Sequence, residues 1–238
     1  MLSRSESKYI QSLYHKKQRD VEGLFIVEGP KLAEELLNSE FAIKKIYALE
    51  SWVYENEIKI PIVVVSEVEL QKISNLQTAN QVLMIVEQQK KIKNIKSKIK
   101  IVLDGLQDPG NMGTIIRIAD WFGIKEIICS FDTVELYNPK VIQSTMGSFI
   151  RVEVSYCDLQ EYLQENKIPV YGAILNGTNI KQIKKPKEAL IVIGNESKGI
   201  RENILPFIQN KISIERIGGA ESLNAAVATG IILSHILE

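Results

Sequence analysis

From Ile101 onward, short apolar runs alternate with stretches of helical spacing, and this constrains the fold more than any other feature. Ile101–Leu103 reads as a strand, Thr114–Phe122 as a helix, Glu126–Cys129 as a strand, Pro139–Met146 as a helix and Arg151–Val154 as a strand. A helix is expected over Asp158–Asn166, then strands at Val170–Ile174 and Ala189–Ile193. A helix over Ile200–Ile208, a strand at Lys211–Ile214 and a long final helix over Ser222–Leu237 complete the series. Such alternation implies a parallel sheet covered on both faces. Ligands of these sheets bind at the carboxyl ends of strands. The loops after Leu103, Ile174, Ile193 and Ile214 are therefore the places to look.

The first 87 residues form a separate, smaller pattern. Ser3–Leu13 has helical spacing, and Gly23–Glu28 reads as a buried strand. Pro30 suits the first turn of a helix running to Leu37. Ile43–Leu49, Ile60–Val65 and Ala79–Glu87 are further strand candidates. Ser66 and Glu69 have the spacing of a capping box. The lysine-rich stretch Gln88–Lys100 separates the two patterns, so the expected division is a small α/β domain over residues 1–95 and a parallel-sheet domain over 96–238.

With 45% hydrophobic residues in 238, the chain has ample material for a core. No apolar run approaches the roughly 20 residues a membrane helix needs, and the first residues lack the apolar stretch of a secretory signal. A cytoplasmic location is expected. Cys129 and Cys157 have no second Cys or His nearby, and His15 and His235 are isolated. Reduced core thiols are expected, with no metal site and no disulfide. Net charge is zero, but the cations are clustered. Arg4, Lys8, Lys16, Lys17 and Arg19 form one group. Lys90, Lys91, Lys93, Lys96, Lys98 and Lys100 form another. Each group is either a phosphate-contacting patch or a solvated face.

Three of the loops carry unusual sequences. Asp104–Gly113 holds glycines at 105, 110 and 113, with Asn111 able both to donate and to accept. Arg117 follows in the helix, in reach of a phosphate. Gly194-Asn195-Glu196-Ser197-Lys198-Gly199 follows an apolar strand and places a carboxylate at its end. Ile212–Asn224 leads into the small-residue run Ala225–Gly230, with Ser222 and Asn224 at a helix N-terminus. Each loop alone is also compatible with an ordinary turn or cap.

In order and wording the three loops resemble the motifs of the SpoU/TrmH family of RNA 2′-O-ribose methyltransferases. The matching residues are Asn111-x-Gly113 with Arg117, Gly194-Asn195-Glu196, and Ser222-Leu223-Asn224. Asn138-Pro139-Lys140 and Ser144–Ser148 look like the segment that family places between its first two motifs. The resemblance runs from about Ile101 to Glu238. It implies a SPOUT-type α/β domain with a deep trefoil knot, a homodimer, and S-adenosyl-L-methionine as cofactor. It also implies cofactor contacts through the backbone at Gly194, Ile214 and Leu223, and a ribose lined by Asn111, Arg117, Glu196, Ser222 and Asn224. Phe25–Pro30 resembles the family's RNA-gripping domain, which makes ribosomal RNA the first expectation as substrate and transfer RNA the second.

The family reading often gives Arg117 the 2′-hydroxyl proton. An arginine stays protonated in proteins, so Arg117 is expected to clamp phosphate and stabilise the developing alkoxide. A phosphate oxygen or Glu196 would then take the proton. Glu215-Arg216 replaces a Pro-Met common in the family, and Ser197 and Lys198 replace small residues beside the cofactor pocket. A dinucleotide-dependent oxidoreductase is excluded because no Gly-x-Gly-x-x-Gly follows the first strand. An RNA-binding protein that has lost catalysis should have lost one of Asn111, Arg117, Glu196 or Asn224, and all are present.

Overall fold

A computed structural model describes residues 2–54, 60–89 and 97–237. Lys90, Lys91, Lys93 and Lys96 of the second basic group lie outside the described residues. The chain divides into two compact units, residues 1–91 with 137–150, and residues 92–136 with 151–238.

In the first unit α1 (Arg4–Ser12) is capped by Ser3, whose hydroxyl accepts from the Glu6 amide, and α2 (Lys16–Glu22) ends on Gly23. Then come β1 (Leu24–Glu28), α3 (Pro30–Leu37), β2 (Ile43–Ala48), α4 (Glu50–Tyr54), β3 (Ile62–Val64), α5 (Glu67–Ile73) and β4 (Val82–Glu87). The sheet order is β1-β4-β2-β3. β4 runs antiparallel to both neighbours, while β2 and β3 are parallel. Successive side chains of β1 face opposite ways. Ile26 joins Ile10, Leu13, Tyr47, Leu70 and Ile73 in one core cluster. Arg19, placed with the first basic group on sequence, is only 2% exposed. Its guanidinium donates to the Leu13 carbonyl at 2.9 Å, so it is a strut inside the unit and not a phosphate contact.

The second unit opens with β5 (Ile99–Asp104), α6 (Pro109–Trp121) and β6 (Glu126–Ser130). The stretch from Tyr137 to Ile150, with α7 (Pro139–Thr145), belongs to the first unit. It supplies rings to the other face of β1. Phe25 lies 4.5 Å from Tyr137 and 5.9 Å from Phe149 between ring centroids, and Phe41 is 5.5 Å from Phe149.

The chain then returns to the second unit with β7 (Glu153–Cys157), α8 (Leu159–Glu165), β8 (Val170–Asn179), β9 (Ala189–Gly194), β10 (Asn210–Ser213) and α9 (Ala225–Leu237). These strands form a six-stranded sheet in the order β10-β8-β9-β5-β6-β7, parallel throughout. Ile101, Val102 and Leu103 are all fully buried, as a doubly covered sheet requires. Val102, Leu190 and Val192 pack with Leu159 and Leu163 of α8 and with Ile200 and Ile204. α6 and α9 pack on each other, and α9 also reaches β9.

The sequence reading departs from the structure at five elements. The helix expected over Ile200–Ile208 reduces to a 3-10 turn at Leu205–Phe207. Pro206 has no N–H to donate, and the Arg201 amide is bound elsewhere. The strand expected at Arg151–Val154 begins two residues later, and that expected at Val170–Ile174 runs on to Asn179. α6 begins at Pro109 because Asp108 caps it, so Gly110 and Gly113 are helical and only Gly105, with φ of 72°, turns the first loop. α9 begins at Ala225 and not Ser222, for a reason that lies in the site.

Candidate functional site

The loops after β5, β9 and β10 are joined by one chain of side-chain hydrogen bonds. After β9, Asn195 and Gly199 exchange backbone bonds of 3.0 and 2.9 Å. The Asn195 Oδ1 accepts the amides of Ser197 and Lys198 at 3.0 and 3.1 Å. This closes a tight turn, and Asn195 Nδ2 ties it to the Gly105 carbonyl at 2.7 Å. The turn directs Glu196 at the first loop. Its carboxylate accepts the Gln107 amide at 3.3 Å, the Asp108 amide at 3.1 Å and Asn111 Nδ2 at 3.1 Å.

Asn111 is held at the start of α6, where its amide donates to Asp108 Oδ1 at 2.7 Å. Asn224 caps α9, its Oδ1 accepting the Ala226 and Val227 amides at 2.9 and 3.2 Å. That cap fixes the helix start and settles the orientation of every amide in the chain. With its oxygen taken by α9, Asn224 offers Nδ2 to Asn111 Oδ1 at 2.7 Å, leaving Asn111 Nδ2 for Glu196. Glu196, Asn111 and Asn224 therefore form a relay across three loops. Burial pushes the Glu196 carboxyl up, but the Asn111 amide and the backbone amides of Asp108 and Gln107 more than offset this. Its pKa lies below the usual value. A carboxylate stabilised by three donors is an anchor and a poor proton acceptor.

Two residues that the sequence reading passed over secure the roots of these loops. Asp104, the last residue of β5, is fully buried. Its carboxylate accepts the Arg201 amide at 2.8 Å and Arg201 Nε at 2.6 Å, and also contacts Nη2. Arg201 Nη1 lies 3.4 Å from Asp132. A carboxylate ending an apolar, doubly covered strand was the available signal, because such a group demands a partner.

Arg117 and Ser222 stand outside the relay. Arg117 is exposed in the third turn of α6 and, among the described residues, has no hydrogen bond or ion pair. Six helical residues separate it from Asn111, which turns it about 120° away around the axis. Ser222 is exposed two residues before the Asn224 cap.

The three residues expected to hold the cofactor sit in a tight turn or in a donor-rich loop. A Cβ on Gly194 would lie 2.2 Å from the Gly199 carbonyl carbon, so no other residue fits that turn. A Cβ on Gly177 would lie 2.7 Å from backbone atoms of Lys211 and Ile212, where β8 and β10 pair. Ile214 is half-buried after β10, and Leu223 is 48% exposed at the far end of the same loop. Among the described residues, no amide from residue 215 to 223 donates to a carbonyl or side chain. Such a free donor set suits a ligand held through backbone contacts. The Glu215-Arg216 departure from the family pattern is accommodated here. Glu215 pairs with Lys181 at 3.1 Å, which with Asn179 holds its carboxyl below the usual range. Arg216 donates to the Ala220 carbonyl at 3.4 Å.

Among the described residues no group of three or more His, Cys, Asp or Glu is placed to hold a metal ion, and no helix is long and apolar enough to cross a membrane. Cys129 and Cys157 are free thiols.

Residues 98–234 match the model of the SpoU rRNA Methylase family, and residues 5–84 match the MRM3-like substrate binding domain. The chain is 29% identical over 232 residues to the 23S rRNA (guanosine(2553)-2′-O)-methyltransferase RlmP of Bacillus subtilis, spanning 95% of this chain and 93% of that one. A TrmH-family structure from Porphyromonas gingivalis matches with a TM-score of 0.89 and 32% identity, over 99% of this chain and 98% of the other. An AdoMet-bound rRNA methyltransferase from Sinorhizobium meliloti matches with a TM-score of 0.86 and 26% identity, over 99% and 96%.

Proposed function

The chain belongs to the SpoU rRNA methylase family, and on that premise we propose that it methylates the ribose 2′-hydroxyl of a guanosine in large-subunit ribosomal RNA. The observation that carries this is the Glu196–Asn111–Asn224 relay, which gathers the three family motifs at the carboxyl ends of parallel strands. The choice of guanosine and of 23S RNA rests on the likeness to RlmP over nearly the whole chain. Residues 1–95 are the RNA-gripping part, as the substrate-binding match of residues 5–84 suggests. A cytoplasmic place of work is in keeping with the bacterial rRNA methyltransferases it resembles.

When bound, S-adenosylmethionine supplies a methyl group already activated on a sulfonium. The backbone at Gly194, Ile214 and Leu223 would hold it. Asn111, Glu196, Ser222 and Asn224 would line the ribose, and their task is orientation, since positioning is the larger share of such a transfer. Arg117, whose guanidinium has no partner among the described residues, would clamp a phosphate and stabilise the developing alkoxide. The 2′-hydroxyl proton would pass to an adjacent RNA phosphate oxygen or to Glu196, whose hydrogen-bond donors lower its pKa and weaken it as a base.

The deep trefoil knot is carried over from membership of the family alone. α9 buries Ala226, Thr229, Ile232, Leu233 and Ile236 yet leaves Val227 and Ile231 51% and 39% exposed, and Trp121 on α6 is 86% exposed. An apolar second face on two packed helices favours a homodimer through α6 and α9.

The test is methyl transfer from isotopically labelled S-adenosylmethionine to unmodified ribosomal and transfer RNA in separate reactions, with nucleosides identified by mass. Label in 2′-O-methylguanosine from ribosomal RNA is expected. Label on a base, or only in transfer RNA, would overturn the assignment.

A further inference from the structure

Phe131 is 73% exposed immediately after β6, and the turn that carries it is among the most firmly tied in the second unit. The Thr133 amide closes the turn on the Ser130 carbonyl at 3.0 Å. Ser130 Oγ accepts the Gly105 amide at 2.9 Å and bonds Thr133 Oγ1 at 2.9 Å. Thr133 Oγ1 donates to the Leu103 carbonyl at 3.2 Å, and the Val134 amide to the Leu106 carbonyl at 2.9 Å. Gln107 Nε2 donates to the Asp132 carbonyl, and Arg201 Nη1 approaches the Asp132 carboxylate at 3.4 Å.

The turn is bound to the first-motif loop and to Arg201, while its large apolar side chain is left in water. Gln107 links the turn to the relay, since its own amide donates to Glu196 at 3.3 Å. The backbone that carries the ring is therefore held against the loop that bears Asn111 and meets Glu196. An exposed ring on a fixed turn is the chemistry that holds an unpaired nucleobase, because every base presents a π-face whatever its sequence.

We propose that Phe131 is a stacking platform for an unpaired nucleobase of the RNA next to the methylated ribose. This rests on the reading of the chain as an RNA methyltransferase. It adds a substrate requirement, namely that the target lies in a loop or an opened segment and not within a continuous duplex.

The test uses the full-length protein, in vitro transcribed large-subunit ribosomal RNA and labelled S-adenosylmethionine. Phe131→Ala is expected to raise KM for RNA roughly ten-fold, the loss of one stacked base, with cofactor affinity by calorimetry unchanged. Phe131→Tyr should restore KM, and Phe131→Leu, apolar but without a ring, should not. An unchanged KM in Phe131→Ala, or full rescue by Leu, would overturn the platform. An equal loss of cofactor affinity would also overturn it, by making the residue a structural support. If the unsubstituted protein binds the cofactor but methylates no RNA, the underlying functional reading is what fails.

Discussion

The two units each contain a buried carboxylate at the end of a strand, and they satisfy it in different ways. Glu28 ends β1 at 7% exposure. It accepts from Tyr14 Oη at 2.8 Å, the Asn75 amide at 3.2 Å and Ser74 Oγ, all neutral donors. Asp104 ends β5 and is held by a guanidinium. The first arrangement ties a helix and a loop into a fixed shape, and Tyr14 also bonds the Ile73 carbonyl at 2.9 Å. The second anchors loops whose remaining polar groups, Glu196, Asn111 and Asn224, bond one another across three loops. Internal wiring in the first unit serves shape, whereas in the second, on the proposed function, it would serve the position of chemistry.

That contrast can be broken most forcefully at Glu196. Glu196→Ala should lower kcat about 100-fold or more, the cost of losing one preorganised polar contact, while the urea midpoint of unfolding moves little. A large stability loss with turnover preserved would place Glu196 with Glu28. Because its pKa is depressed in the folded state, its anchoring is present at neutral pH and lost only as pH falls through that lowered value. The acid limb of the rate profile should accordingly lie below the ordinary glutamate range.

Arg201→Ala strips the partner from a fully buried carboxylate and should cost about 3 kcal/mol, read from denaturant unfolding. A loss under about 1 kcal/mol would mean that water reaches Asp104. Tyr14→Phe removes one of several neutral donors to Glu28 and should cost about 1 kcal/mol, by the same measurement. The smallest effect is expected at the capping box of α5, where the Ser66 and Leu2 amides and the Ser66 hydroxyl hold Glu69 at a pKa of about 2. A depressed carboxyl stabilises the fold above its unfolded pKa and loses that contribution as pH falls through the folded one. In Ser66→Ala the melting temperature should therefore begin to fall at a higher pH than in the parent.

The capping box itself was legible in the sequence, as was α3 to the residue, because Ser66, Glu69 and Pro30 act through contacts a few positions away. The parallel order of the second sheet was legible too, since Ile101–Leu103 and Leu190–Ile193 leave no polar face. What sequence spacing could not give were the partnerships across the chain. Asp104 and Arg201 are 97 residues apart, and their pairing takes the place of the helix that the spacing of Ile200, Ile204 and Ile208 predicts. The ring cluster of Phe25, Tyr137 and Phe149 joins residues more than a hundred positions distant, so residues 137–150 gave no sign of belonging to the first unit. Asn111, Glu196 and Asn224 were picked out by their likeness to family motifs. Their relay became visible only when each amide's orientation followed from the α9 cap.

The central claim is that these three side chains act as one assembly, and a double-mutant cycle tests it most directly. Asn111→Ala, Asn224→Ala and the double variant would be compared by single-turnover methyl transfer to ribosomal RNA. If the relay is a unit, the double variant loses little more than the worse single one, since breaking any link releases the rest. Losses that multiply would show independent residues and contradict the account.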